Sequence, residues 1–145
     1  MAEKSKKNIP VVGIVLVTHG TFGETLLEAA EMVMGKQDNC LAVGVDVERS
    51  VDETMELIRS SIQKVERGKG VVALTDLFGG SPTTMSLSLM KSENLEVITG
   101  VNLPMLVATL QSRSMDLQAL AEKVKSAGQQ GIKVAGAMLR KKAKK

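Results

Sequence analysis

Two hydrophobic patterns alternate along the chain. Continuous apolar runs rich in β-branched residues occupy 11–18, 41–47, 71–75 and 95–101, and runs of this length without polar alternation predict strands buried on both faces of a parallel sheet. Between them the apolar spacing changes to three and four. Leu26, Leu27, Ala30, Val33 and Met34 form one helical stripe, and Val51, Met55, Ile58, Ile62 and Val65 form another, as amphipathic helices covering a sheet require.

Local punctuation agrees with that division. Thr21 with Glu24, and Ser50 with Glu53, have the spacing of capping boxes, while Gly35 and Gly68 stand where helices stop. Ser81 is placed to cap a third helix with Pro82 in its first turn. Pro104 opens a short apolar helix, a further helix is expected over about 115–127, and a last short strand near 132–135. The order predicts an α/β domain with an open, mostly parallel sheet and helices on both faces. It spans 9–137, between a basic N-terminal tail at 1–8 and a basic C-terminal tail at 138–145.

This topology has a consequence for chemistry, because ligands of such sheets bind beyond the carboxyl ends of the strands, where the strand order reverses. His19 follows the first strand, residues 76–81 follow the third and Asn102 follows the fourth, so all three emerge at one sheet edge. With the first strand central and next to the third, His19 and Asp76 meet.

Composition narrows the class. A chain of 145 residues holds one domain with one core and leaves no room for a second catalytic domain. The apolar runs fall short of the roughly 20 residues of a membrane span, and the N-terminal residues lack a secretory pattern. A lone Cys40 forms no intramolecular disulfide; it reads as a small buried hydrophobe in a protein of the reducing cytoplasm. The net charge of +3 is concentrated at the ends: the tails carry +2 and +5, so the body between them is −4. With only two aromatic residues, Phe22 and Phe78, that body is a poor nucleic-acid surface. The tails read as solvated ends or an electrostatic tether. The nine methionines read as core filler.

His19 is the sole histidine, which excludes two-histidine mechanisms. The His-Gly pair of histidine phosphatases needs an arginine before it, and Thr18 stands there instead. One imidazole without clustered thiolates or a second imidazole makes a poor transition-metal site, so a tetrapyrrole metal chelatase is the remote alternative and no metal or cofactor is expected. Residues 76–82, Asp-Leu-Phe-Gly-Gly-Ser-Pro, supply a different chemistry. Adjacent glycines followed by a helix start make an anion cradle from backbone N–H groups, but the chain contains no G-x-x-x-x-G-K-[ST] loop for a nucleoside triphosphate. Asp76 can accept a hydrogen bond from one imidazole nitrogen and leave the other to attack phosphorus.

Three segments, Gly-Ile-Val-Leu-Val-Thr-His-Gly at 13–20, Asp-Leu-Phe-Gly-Gly-Ser-Pro at 76–82 and Gly-Val-Asn-Leu-Pro-Met at 100–105, resemble in that order the enzyme IIA domains of the mannose class. These belong to the bacterial phosphoenolpyruvate-dependent sugar phosphotransferase system. The resemblance covers about 12–135. It implies a flavodoxin-like fold and a homodimer formed by exchanging a C-terminal edge strand, here 132–135. It further implies phosphorylation of His19, an orienting role for Asp76 and a phosphate-binding loop of Phe78, Gly79, Gly80 and Ser81. The histidine-containing phosphocarrier protein would be the donor and an enzyme IIB component the acceptor, with membranes approached only through permease components. Phe22 and Phe78 could help dock these partners or pack in the core. The lysine-rich ends are not part of the family's pattern. A component of the dihydroxyacetone kinase phosphotransferase ranks second, and a regulatory phosphoprotein or binding module on the same fold is the alternative of a different class.

Overall fold

A computed structural model of the chain describes residues 9–144. Four parallel strands, β1 (Gly13–His19), β2 (Cys40–Val45), β3 (Val71–Thr75) and β4 (Leu95–Ile98), form one sheet in the order β2-β1-β3-β4. Among the described residues six helices accompany them: α1 (Phe22–Met34), α2 (Val51–Val65), α3 (Ser81–Ser88), α4 (Leu103–Gln111), α5 (Leu117–Gln130) and α6 (Ala135–Ala143). Among the described residues, no helix is long and apolar enough to cross a membrane.

Successive side chains of a strand face opposite ways, and β1 divides its apolar run accordingly. Ile14 and Leu16 join Val72 and Leu74 under α1, α4 and α5, where Ala30, Leu106, Leu110, Leu120 and Val124 close one core. Val15 and Val17 join Val71 and Ala73 under α2 and α3, where Ile58, Ile62, Val65 and Leu89 close the other. Each fully buried aliphatic side chain contributes about 1.5–3 kcal/mol of transfer free energy, so the central strands β1 and β3, buried on both faces, anchor the fold. Met34, Met105 and Met115 pack into the first core and Met55 and Met85 into the second, whereas Met32 and Met138 lie exposed.

Several local expectations are corrected. Val33 and Val51 are exposed; one lies at the margin of its helical stripe, the other in the first turn of α2 before that helix meets the sheet. Ser50 caps α2, its Oγ accepting from the Glu53 N–H at 3.1 Å, but Thr21 makes no side-chain cap on α1. Buried Thr18 takes that part, its Oγ1 accepting from the Gly23 N–H at 2.7 Å. The N-cap of α3 is Gly80, and Ser81 is already helical. β4 ends at Ile98, short of the expected 101.

The expected strand near 132–135 does not form in the single chain. Residues 132–134 belong to no strand or helix, and α6 begins at Ala135. A strand needs a neighbouring backbone for its N–H and C=O groups, and among the described residues no strand pairs with this segment. Ala, Met, Leu, Arg and Lys, all good helix formers, then carry 135–143 into a helix with no buried residue. This helix runs through the basic residues 140–142; the N-terminal tail at 1–8 lies outside the described residues.

Candidate functional site

The site is built where the sheet order reverses. Because β1 lies between β2 and β3, the loops leaving β1 and β3 diverge from adjacent strands to opposite faces, and their first residues remain side by side. His19 is the last residue of β1 and Asp76 the first after β3. The Asp76 carboxylate accepts twice on one oxygen: Oδ2 lies 2.8 Å from His19 Nδ1 and 2.9 Å from the His19 backbone nitrogen. The backbone bond ties the carboxylate to the end of β1 whatever the imidazole does, so the ring is oriented by a group that is itself fixed.

Burial pushes the Asp76 carboxyl up, but the hydrogen bonds from the His19 backbone N–H and imidazole outweigh it and hold the group below its ordinary value. The carboxylate is then ionised at neutral pH and can only accept, so in the neutral ring Nδ1 carries the proton and Nε2 the lone pair. The Asp76 side chain is 15% exposed, the imidazole 52%. Asp76 Oδ1 is buried without a hydrogen-bond partner among the described residues.

The loop from Leu77 to Gly80 borders the ring. Gly80 is there for clearance: a Cβ at this position would stand 3.0 Å from His19 Cε1 and 3.5 Å from Nε2. Its N–H is engaged by Leu77 C=O at 3.1 Å, while those of Phe78, Gly79 and Ser81 meet no acceptor among the described residues. Gly79 adopts φ 85°, a left-handed turn that glycine makes without strain. The uncapped start of α3 at Ser81 adds the positive end of a helix. Free N–H groups and a helix start of this kind can hold an anion, here next to the imidazole. Asn102, also at this edge, is committed to structure: its Oδ1 caps α4 by accepting from the Met105 N–H at 3.0 Å.

Phe22, Leu77 and Phe78 stand exposed around the site, which removes core packing as the role of either phenylalanine. Cys40 lies far along the sheet from His19, its thiol pushed up to about 12 by burial. Among the described residues, no group of three or more His, Cys, Asp or Glu side chains is arranged to hold a metal ion.

Sequence reasoning missed the residues that hold the loop in place. Buried Thr83 donates from Oγ1 to Leu77 C=O at 2.7 Å and lies 2.7 Å from Thr75 Oγ1. Thr83 follows Pro82 within a helix and carries no motif of its own. Gly44 was also overlooked; a Cβ there would run into the carbonyl oxygen of Gly20, so the turn after His19 rests directly on β2. A glycine inside a strand signals such backbone approach.

Comparison with known proteins bears on the family and the fold. A family model described as PTS system fructose IIA component matches residues 13–126. The chain is 38% identical over 128 residues to the PTS system mannose-specific EIIAB component of Escherichia coli K12, covering 84% of this chain and 39% of that protein. It is 26% identical over 133 residues to the PTS system fructose-specific EIIA component of Bacillus subtilis, covering 90% and 91%. The crystal structure of phosphotransferase system component EIIA from Streptococcus agalactiae superposes with a TM-score of 0.79 at 26% identity, over 87% of this chain and 98% of the other. The PTS IIA protein associated with the fucose utilization operon of Streptococcus pneumoniae gives 0.80 at 25%, over 90% and 97%. The doubly wound sheet, the histidine at its switch point and the match over most of the domain lead to one assignment: the chain belongs to the PTS fructose IIA family, the mannose-type EIIA components of the sugar phosphotransferase system.

Proposed function

We propose that His19 is a phosphoryl carrier that accepts on Nε2 and passes the group on. The observation that carries this reading is the 2.8 Å pair between His19 Nδ1 and Asp76 Oδ2, which leaves Nε2 unprotonated beside unpaired loop amides. In the transfer, the Nε2 lone pair forms a bond to phosphorus as the N–P bond to the donor's imidazole breaks, its electron pair remaining on the donor nitrogen. Asp76 offsets the positive charge that develops on the His19 ring, and the N–H groups of Phe78, Gly79 and Ser81 face the phosphoryl oxygens. Onward transfer reverses the step, the electron pair returning to Nε2.

The donor in this reading is the histidine-containing phosphocarrier protein, the acceptor an enzyme IIB component, and the compartment the cytoplasm. Exposed Phe22, Leu77 and Phe78 give these partners an apolar rim to dock on, since exposed aromatic anchors are typical of such contacts. A homodimer fits the same reading: β4 is an edge strand, and pairing of 132–135 with it in a second copy would cover Ile132 and Val134, both exposed in the single chain.

The test is transfer of labelled phosphate from phosphoenolpyruvate through enzyme I and the phosphocarrier protein. Acid-labile, alkali-stable label on the wild type and none on His19→Ala is the expected result. A folded wild type that stays unlabelled with competent donors overturns the proposal.

A further inference from the structure

Thr83 lies outside the three motifs, yet it is 2% exposed and stands at a junction of hydroxyl groups. Its Oγ1 is 2.7 Å from Leu77 O, 2.7 Å from Thr75 Oγ1 and 3.4 Å from Thr99 Oγ1. Proton accounting orders the chain. A carbonyl oxygen only accepts, so the single Thr83 proton goes to Leu77 C=O, and Thr75 must then donate to Thr83. Leu77 C=O is thereby held twice, by the Thr83 hydroxyl and by the Gly80 N–H at 3.1 Å.

A trans peptide is planar, with its C=O and N–H pointing in opposite directions. Turning Leu77 C=O in toward Thr83 therefore turns the Phe78 N–H out of the interior, where it meets no acceptor among the described residues. The ring and this peptide are near neighbours: a Cβ on Gly80 would touch both His19 Cε1, at 3.0 Å, and Leu77 O, at 3.3 Å. Without the hydroxyl, Leu77 C=O keeps only the Gly80 N–H as partner, and the Leu77–Phe78 peptide is less firmly held.

We infer that Thr83 is a positioning residue for phosphoryl transfer, locking the Leu77–Phe78 peptide so that the Phe78 N–H faces the phosphoryl group. The inference rests on the phosphohistidine reading above and adds to it a residue beyond the loop. It also explains why a buried hydroxyl occupies a position where an apolar side chain would pack more simply.

The experiment compares wild type with Thr83→Val, which keeps shape and removes the hydroxyl, and Thr83→Ser, which keeps the hydroxyl. Each is labelled through the phosphocarrier protein, and the Phe78 amide is followed by ¹H–¹⁵N spectroscopy before and after phosphorylation. In the wild type and Thr83→Ser the Phe78 amide proton moves downfield on phosphorylation, and transfer rates agree within about twofold. Thr83→Val should lose that shift and transfer about 10- to 100-fold more slowly at saturating donor, with half-saturation by the donor unchanged. Thr83→Val labelled at the wild-type rate with the amide shift intact overturns the inference alone. A wild type that takes no label on His19 overturns the phosphohistidine reading and the inference with it.

Discussion

Replacing Asp76 by asparagine isolates the charge of the orienting group, because the side chains have nearly the same shape and the site offers the amide two placements, both unfavourable. With its oxygen at the Oδ2 position, the substituted side chain keeps both bonds from His19, but its NH₂ then occupies the buried site of Oδ1, where no partner waits among the described residues. An unsatisfied buried donor costs about 1–3 kcal/mol. With the NH₂ at Oδ2 instead, it opposes the His19 backbone N–H 2.9 Å away and forces Nδ1, at 2.8 Å, to become the acceptor. The ring proton then moves to Nε2 and the nucleophilic lone pair is lost. Even in the better placement the ring loses a charged acceptor as it becomes cationic, and hydrogen bonds to charged groups are worth about 1.5–3 kcal/mol. At about 1.36 kcal/mol per decade this is a rate loss of about 10- to 150-fold. Rapid-quench measurement of phosphoryl transfer at saturating donor, with a circular-dichroism melt to verify folding, provides the assay. A folded Asp76→Asn protein labelled within about twofold of the wild-type rate would refute the role given to the carboxylate.

Gly80→Ala should separate activity from stability: φ −79° and ψ 163° at Gly80 are ordinary for alanine, so the melt should hold or improve. The new methyl, 3.0 Å from His19 Cε1, displaces the ring by a few tenths of an ångström and slows transfer by about 3- to 10-fold; unchanged transfer would count against the clearance role. Asp76 also sets a pH dependence. Its folded-state pKa lies below the ordinary value, so it contributes stability that is fully present above the unfolded pKa of about 3.9 and lost as pH falls through the lower folded value. Urea titrations from about pH 6 downward should show this loss in the wild type and a smaller one in Asp76→Asn; equal slopes contradict the assignment. Cys40, with its thiol pushed up to about 12 by burial, should resist alkylation by iodoacetamide at about pH 8 in the native protein and react readily in urea. Fast native labelling would show that the bottom of the sheet opens.

The layered α/β organisation was legible because each local signal agreed with the others. The apolar run of β1 needs cover on both faces, and the spacings in α1 and α2 supply helices of the right kind to provide it. His19, Asp76 and the Gly79-Gly80 turn were legible for a related reason: strand ends in a parallel sheet share an edge, so residues 57 positions apart in sequence could be assigned to one place from topology. The segment at 132–135 forms no strand in the single chain: its apolar residues fit a strand by composition, while strand formation depends on a partner backbone that local sequence does not encode.

The sequence by itself determined that His19, Asp76 and the Gly79-Gly80 turn gather at one edge of the sheet, since strand direction and hydrophobic period suffice for that. Tertiary structure alone decided how these groups are aimed at one another. That both His19 nitrogen contacts fall on one carboxylate oxygen, that Gly80 serves as clearance while its amide is engaged elsewhere, and that Thr83 fastens Leu77 from within α3 are matters of a few tenths of an ångström. They are fixed when packed elements bring distant backbone and side-chain groups together, and no local pattern of residues records such distances.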